Sequence, residues 1–376
     1  MPRVLQILGG LLCLLALGAC GGEDPPDQAA DDVARAAPPA PAPTGPKLSV
    51  EQAVGQRMIF PYAGLEPPPE LIERISRGEA AGVILFARNV ASTEQVRATA
   101  ERLQAIARPP GLRAPLLVMV DQEGGRVRRI PGGPPEAAGS TSSPREAAAH
   151  GADAARTLRA AGVNVNLAPV VDIARPRSAV AREGRAYGRD PRSAAAGGEA
   201  FAEALRAGGV AATAKHFPGF GAGTVNTDDA PATIDLPLEQ LRRVDEVPFR
   251  RMIGQGVELI MLSTASYPAV DPRPAAFARE WVVDELRRRL GYDGVTITDD
   301  LQTPAVARFG SDAQRAFYAV AAGVDLPLFA KDFDSAVAAA EGLERAVRAG
   351  DLPRDEVEQG AGRVLALRER LPVDQR

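Results

Sequence analysis

The chain has 376 residues, 45% of them hydrophobic and 24% charged, with a formal net charge of -4. That length is too great for one small domain and suits a single large α/β barrel with a tail; the apolar share is normal for a protein with a full core. The mild charge, with no basic stripe and no interleaving of arginine with aromatic residues, gives no footing for nucleic acid.

Arg3 is followed by an apolar run from Val4 to Leu17 and then by Leu17-Gly18-Ala19-Cys20. The run is short for a membrane span and fits the core of a signal peptide. Leu-Gly-Ala-Cys resembles a lipobox, which implies cleavage after residue 19 and lipid attachment at Cys20. The resulting organisation is a signal peptide over 1–19, a lipidated Cys20 with a flexible tether over 20–47, and a folded region over 48–376. The tether is rich in Pro, Ala and Asp and has too few large apolar side chains for a core. The other cysteine, Cys13, leaves with the signal, so the exported body is held by its core and not by disulfides.

Eight candidate strands follow, at residues 57–62, 82–86, 115–120, 163–169, 210–216, 258–262, 294–298 and 325–329. Most are continuous apolar runs, the pattern of parallel strands buried on both faces. Helical segments alternate with them at 93–107, 143–161, 191–207, 238–255, 277–290 and 313–322, and residues 335–371 read as closing helices. This alternation predicts an α/β fold, a single-domain (β/α)8 TIM-type barrel. A doubly wound sheet is the alternative, but no Gly-rich dinucleotide turn follows the first strand. In a barrel, chemistry sits at the carboxyl ends of the strands. The ionisable residues expected there are Asp121 and Glu123, Asp172, Lys215 and His216, and Asp299 and Asp300. Lysine occurs only at Lys47, Lys215 and Lys331, in a chain that otherwise uses arginine. The two side chains are not equivalent in a tight site, which singles out Lys215.

Three segments carry a resemblance: Asp121-Gln122-Glu123-Gly124-Gly125-Arg126-Val127-Arg128-Arg129, Lys215-His216-Phe217-Pro218-Gly219-Phe220-Gly221, and Thr298-Asp299-Asp300-Leu301. Together they resemble glycoside hydrolase family 3, in its single-domain bacterial β-N-acetylglucosaminidase form. The resemblance implies a retaining hydrolase that releases terminal β-linked N-acetylglucosamine from peptidoglycan-derived or related glycans. It implies Asp299 as nucleophile, and Asp121, Arg129, Arg185, Lys215 and His216 as the sugar-holding set. A retaining glycosidase needs such an attacking carboxylate and a second group about 5 Å away to handle the proton.

The departure lies after the fifth strand. Those relatives read Lys-His-Phe-Pro-Gly-His-Gly and then Asp-Ser-His, the final His being the acid/base and the Asp its orienter. Here the final His falls on Asp228 and its partner on Asn226, while the earlier His is Phe220. A histidine expected after the sixth strand is replaced by Thr264. Of the two histidines, His216 belongs to the sugar-holding pair, and His150 is expected on the exposed face of a helix. Asp228 or Asp229 is therefore the expected substitute, its pKa raised by neighbouring carboxylates so that it can donate a proton. Alternative readings are a β-glucosidase-type hydrolase and a non-catalytic sugar-binding lipoprotein. The expected partners are a carbohydrate and, through the lipid alone, a membrane. The chain is expected to be a monomer with no cofactor and no metal, since no residues show ligand spacing.

Overall fold

The computed structural model describes residues 47–372. The predicted signal peptide, Cys20 and all of the tether before Lys47 lie outside the described residues. Seven parallel strands form one sheet in chain order: β1 (Ile59–Phe60), β2 (Gly82–Leu85), β3 (Leu117–Val120), β4 (Val165–Asn166), β5 (Ala211–Phe217), β6 (Leu259–Leu262) and β7 (Val295–Thr298). The predicted eighth strand makes isolated parallel bridges instead of a ladder. Leu326 pairs with Ile297 of β7 and Leu328 with Ile59 of β1, which closes the cylinder. The predicted barrel is thus observed, with shorter strands than the apolar runs suggest.

Alternation along the strands fills the barrel. Ile59, Ile84, Leu117, Met119, Val165, Ala211, Leu259, Met261, Val295, Ile297, Leu326 and Leu328 form one buried cluster inside it. Each of these side chains except that of Ala211 contributes roughly 1.5–3 kcal/mol of burial. The intervening residues, among them Val83, Val118, Val120, Ile260 and Leu262, join the outer core against the helices. Gly82 lets β2 and β3 close up, because a Cβ there would lie 1.9 Å from the Leu117 carbonyl oxygen. Val364 and Leu367 of the last helix, Arg354–Arg370, belong to the inner cluster. That helix therefore stoppers the amino-terminal end of the barrel and leaves the carboxyl end open.

The helices follow their caps. Ser92, Ser143, Asp190, Ser311 and Asp332 each accept a backbone N–H at a helix start. Pro191–Ala207 has the predicted bounds. The predicted helix over 238–255 is broken into Leu238–Gln240, a wider-wound turn Leu241–Asp245, and Val247–Gly254 with Pro248 in its first turn. Proline tolerates a first turn and not a helix interior. Helices Val50–Gly55 and Pro69–Arg77 and two hairpins were not foreseen. The hairpins pair Gln122–Gly124 with Val127–Arg128 and Ser266–Tyr267 with Asp271–Pro274; both stand in loops that follow strands, so they build up the rim.

Candidate active site

Strand alternation delivers the reactive side chains. Leu117 and Met119 face the barrel interior on β3, and two residues on stands Asp121. Val295 and Ile297 do so on β7, and two residues on stands Asp299. On β5 the interior positions lead to Lys215. There the register slips: Lys215 pairs with Met261, but Phe217 pairs with the adjacent Leu262, so His216 is an extra residue. The slip turns Phe217 outward onto Phe249 and Trp281, with ring centroids 5.3 and 6.2 Å away.

Glu123 is the electrostatic hub. Its carboxylate accepts two bonds from Arg185, both 2.9 Å, and lies 2.6 Å from Lys215 Nζ. Lys215 Nζ also donates to Asp121 Oδ1 at 2.8 Å, and Arg185 Nη1 to Glu183 at 3.2 Å. Burial opposes the Glu123 charge, but Arg185 and Lys215 outweigh it and hold this carboxyl well below the usual range. Burial likewise opposes the ammonium of Lys215, and Asp121 and Glu123 outweigh it, so its pKa rises. The rim therefore holds Glu123 as an anion between the cations of Arg185 and Lys215.

Asp172 organises the next segment. Its carboxylate accepts the Phe220 N–H at 2.6 Å and the His216 N–H at 3.3 Å, and it lies 2.7 Å from His216 Nδ1. The last contact orients the imidazole, with Nδ1 turned toward Asp172. Gly221 allows the loop to close over this point, since a Cβ there would lie 2.2 Å from the Ile173 carbonyl oxygen.

Asp299 accepts the Asp300 N–H through Oδ1 at 2.9 Å, and the Thr227 hydroxyl lies 3.5 Å from Oδ2. The structure brings Asp228 to the same mouth. Asn226 Oδ1 accepts the Asp228 N–H at 3.0 Å, and Asn226 Nδ2 donates to Glu183 at 3.1 Å. Burial, and then the nearby Asp299 charge, push the Asp228 carboxyl above its ordinary pKa, against the opposing pull of Arg185 and His216. Residue 228 as a whole is solvent-exposed, so the burial that raises the pKa is local to the carboxyl end of the side chain. Asp229 is exposed as well, and its N–H caps the turn by donating to the Asn226 carbonyl. Asp300 turns away from the opening and accepts the N–H groups of Gln302 and Ala330.

Arg129, directly after the hairpin strand Val127–Arg128, is half-buried, and its Nε is buried without a hydrogen-bond partner. An unsatisfied buried donor on the rim suits a ligand oxygen. Thr264, at the position where a histidine was expected, is buried with its hydroxyl equally unpartnered. His150 corrects an expectation. It is 8% exposed, not surface-facing, because its helix packs that side against the loop bearing Thr141, whose hydroxyl lies 3.4 Å from Nδ1. It stays away from the rim. Thr227 escaped sequence reasoning altogether: threonine in a polar loop carries no signal until the loop folds onto Asp299.

Fold and site together define a barrel glycosidase, with a rim carboxylate set in a lattice of sugar-type hydrogen-bonding groups. The chain is a member of glycosyl hydrolase family 3: the family's N-terminal domain matches residues 50–367. An uncharacterized secreted glycosyl hydrolase of Arthroderma benhamiae is 41% identical, over 87% of this chain and 96% of that one. A beta-hexosaminidase of Pseudomonas aeruginosa is 39% identical over 71% of this chain and 80% of its own length. Among solved structures, a beta-N-acetylhexosaminidase from Beutenbergia cavernae superposes with a TM-score of 0.78 at 34% identity, covering 86% of this chain and 99% of that one. A family 3 beta-N-acetylglucosaminidase from Paenibacillus gives 0.80 at 34% identity and 86% of this chain, which spans 63% of that longer protein.

Proposed function

We propose that this protein is a retaining β-N-acetylhexosaminidase that removes terminal β-linked N-acetylglucosamine from peptidoglycan-derived or similar glycans. The observation that carries the reading is Asp299 on the inward register of β7, opposite the Asp121–Lys215–Glu123–Arg185 lattice and within the field of Asp228. Asp299 attacks the anomeric carbon while Asp228 donates its proton to the leaving oxygen. Asp228, now a carboxylate, then takes a proton from the water that releases the sugar. Asp121, Arg129, Arg185, Lys215 and His216 hold the sugar, with Glu123 and Asp172 fixing the cations and the imidazole. The kinship with beta-hexosaminidases supports the choice of sugar. Asp229 has a turn-capping role in this reading.

The test is hydrolysis of an aryl β-N-acetylglucosaminide beside an aryl β-glucoside, with the anomer of the first product read by NMR. The reading requires the acetamido substrate to be preferred and the β-anomer to form first. Preference for the glucoside selects the β-glucosidase alternative; saturable sugar binding without turnover selects a binding lipoprotein. Export with lipidation at Cys20 is part of the proposal. A secreted relative supports export, and among the described residues no helix is long and apolar enough to cross a membrane. Metabolic labelling with an alkyne fatty acid should mark the wild type and leave Cys20→Ala unmarked. The proposed form is a monomer.

A further inference from the structure

We propose that the closed end of the barrel, opposite the catalytic rim, carries a second site that binds a phosphate-bearing anion through Arg97, Arg108 and Arg113. A cavity of about 620 Å³ opens there, beneath the loops that lead into β3 and β4, with Pro115 and Asn164 in its wall. Four arginines line it and a single acidic residue, Glu101, which lies 2.9 Å from Arg97.

The charge balance behind this wall points to a ligand. Arg108 is 9% exposed and Arg368, just behind it, is fully buried. Among the described residues neither has a carboxylate within ion-pair distance, and neither has Arg113. Arg108 and Arg368 instead converge on the same carbonyls: both donate to the Leu112 and Ala114 oxygens. Two like charges are thus taken out of water against carbonyl dipoles alone. Burial of a cation without a counter-ion is costly, and a fixed cation pair beside an opening is compensated when an anion occupies that opening. Burial, and then the charge of Arg108, push the Arg368 guanidinium down to about 9, and burial lowers that of Arg108. Guanidinium forks match phosphate oxygens in pairs; Arg108 and Arg113 offer theirs without a carboxylate partner among the described residues, whereas Arg97 and the cations of the catalytic rim are already paired with carboxylates. The shared chemistry is a phosphate mono- or diester, from a soluble metabolite or from the headgroup of an anionic lipid.

The experiment is calorimetric titration of the purified protein with inorganic pyrophosphate at constant ionic strength, together with co-sedimentation on phosphatidylglycerol and on phosphatidylcholine vesicles. Arg97→Ala and Arg113→Ala alter partly or fully exposed side chains and leave the buried pair in place; Arg192→Ala, on a distant exposed helix start, is the control. The expected result is saturable binding that each cavity variant weakens about ten-fold, as loss of a charged hydrogen bond predicts, and that the control leaves unchanged. Binding of pyrophosphate alone assigns a soluble ligand. Additional sedimentation with phosphatidylglycerol vesicles only, lost in the same variants, assigns a headgroup. No binding to either probe, or binding equally strong in the cavity variants, overturns the proposal.

Discussion

By the sequence resemblance Asp228 falls where a histidine is expected, and a carboxyl as the proposed general acid changes the pH dependence. As general acid it must be protonated, so the rate falls as pH rises through its pKa. Burial and the Asp299 charge set that value above an ordinary aspartate. Asp228→Ala should cut hydrolysis of unactivated glycosides by about 10²–10⁴-fold, spare activated aryl substrates, and abolish the alkaline limb of kcat/KM. A limb that survives the substitution assigns the proton to another group. In the proposed second half-reaction Asp228 is an anion and repels phosphate, so turnover in phosphate buffer should yield free sugar and no sugar 1-phosphate by ³¹P NMR. Thr227 is a finer adjustment. Its long contact with Asp299 predicts a fall of roughly two- to ten-fold in kcat for Thr227→Val, with KM little changed. Asp300 affects stability instead. Burial, and then Asp299, raise its pKa to about 7. The folded state holds this proton where the unfolded chain has lost it, so the contribution is complete below about pH 4 and disappears as pH rises through about 7. Asp300→Asn keeps an oxygen for both N–H donors and should flatten that decline in Tm between pH 5 and 8. An unchanged slope places the titration elsewhere.

At the scale of elements, the loop after β5 is held by a few polar contacts and not by regular structure. Asp172 gathers its start, and Asn226 ties its end to Glu183, which also bonds Arg185. Asp172→Ala leaves two buried backbone N–H groups and an imidazole unsatisfied. A loss of about 2–4 kcal/mol in denaturant unfolding is expected, with a larger proportional loss of activity than of fold. The sequence placed the loop's ends on the barrel rim through the apolar run that precedes it and the hydrophobic periodicity that follows. It did not place the chain between them, because each anchoring contact joins residues about forty or more positions apart. The two rim hairpins were missed for a related reason: Gln122–Gly124 and Ser266–Tyr267 are too short for alternation to show. The broken helix over 238–255 was hidden because its apolar spacing stays helical through the wider turn.

The whole molecule is a barrel closed at one end and reactive at the other. Asp325, buried at the closed end, receives Arg287 at 2.6 Å and Arg363 at 2.8 Å, and its carboxylate also takes the Thr296 N–H. Burial works against its charge, but Arg287, Arg363 and Arg57 outweigh it and lower its pKa. The stability it adds is present above the unfolded value near 4 and is lost as pH falls below it. These contacts bind the eighth segment to β7 and to the last helix, so Asp325→Asn should cost about 3–5 kcal/mol and loosen both in hydrogen exchange. The sequence alone determined the barrel, the strand ends and the family, because parallel strands buried on both faces write long apolar runs and a rim site writes ionisable residues directly after them. It also determined Asp299, Asp121 and Lys215, whose inward direction follows from two-residue alternation. Only the tertiary structure decided that Asp228 lies within the field of Asp299, that Thr227 touches it, that Glu123 is the hub of the cations, and that His150 is buried. Those facts depend on how a long polar loop and distant helices settle against the rim. Such contacts form between residues far apart in the chain, and no local pattern encodes them.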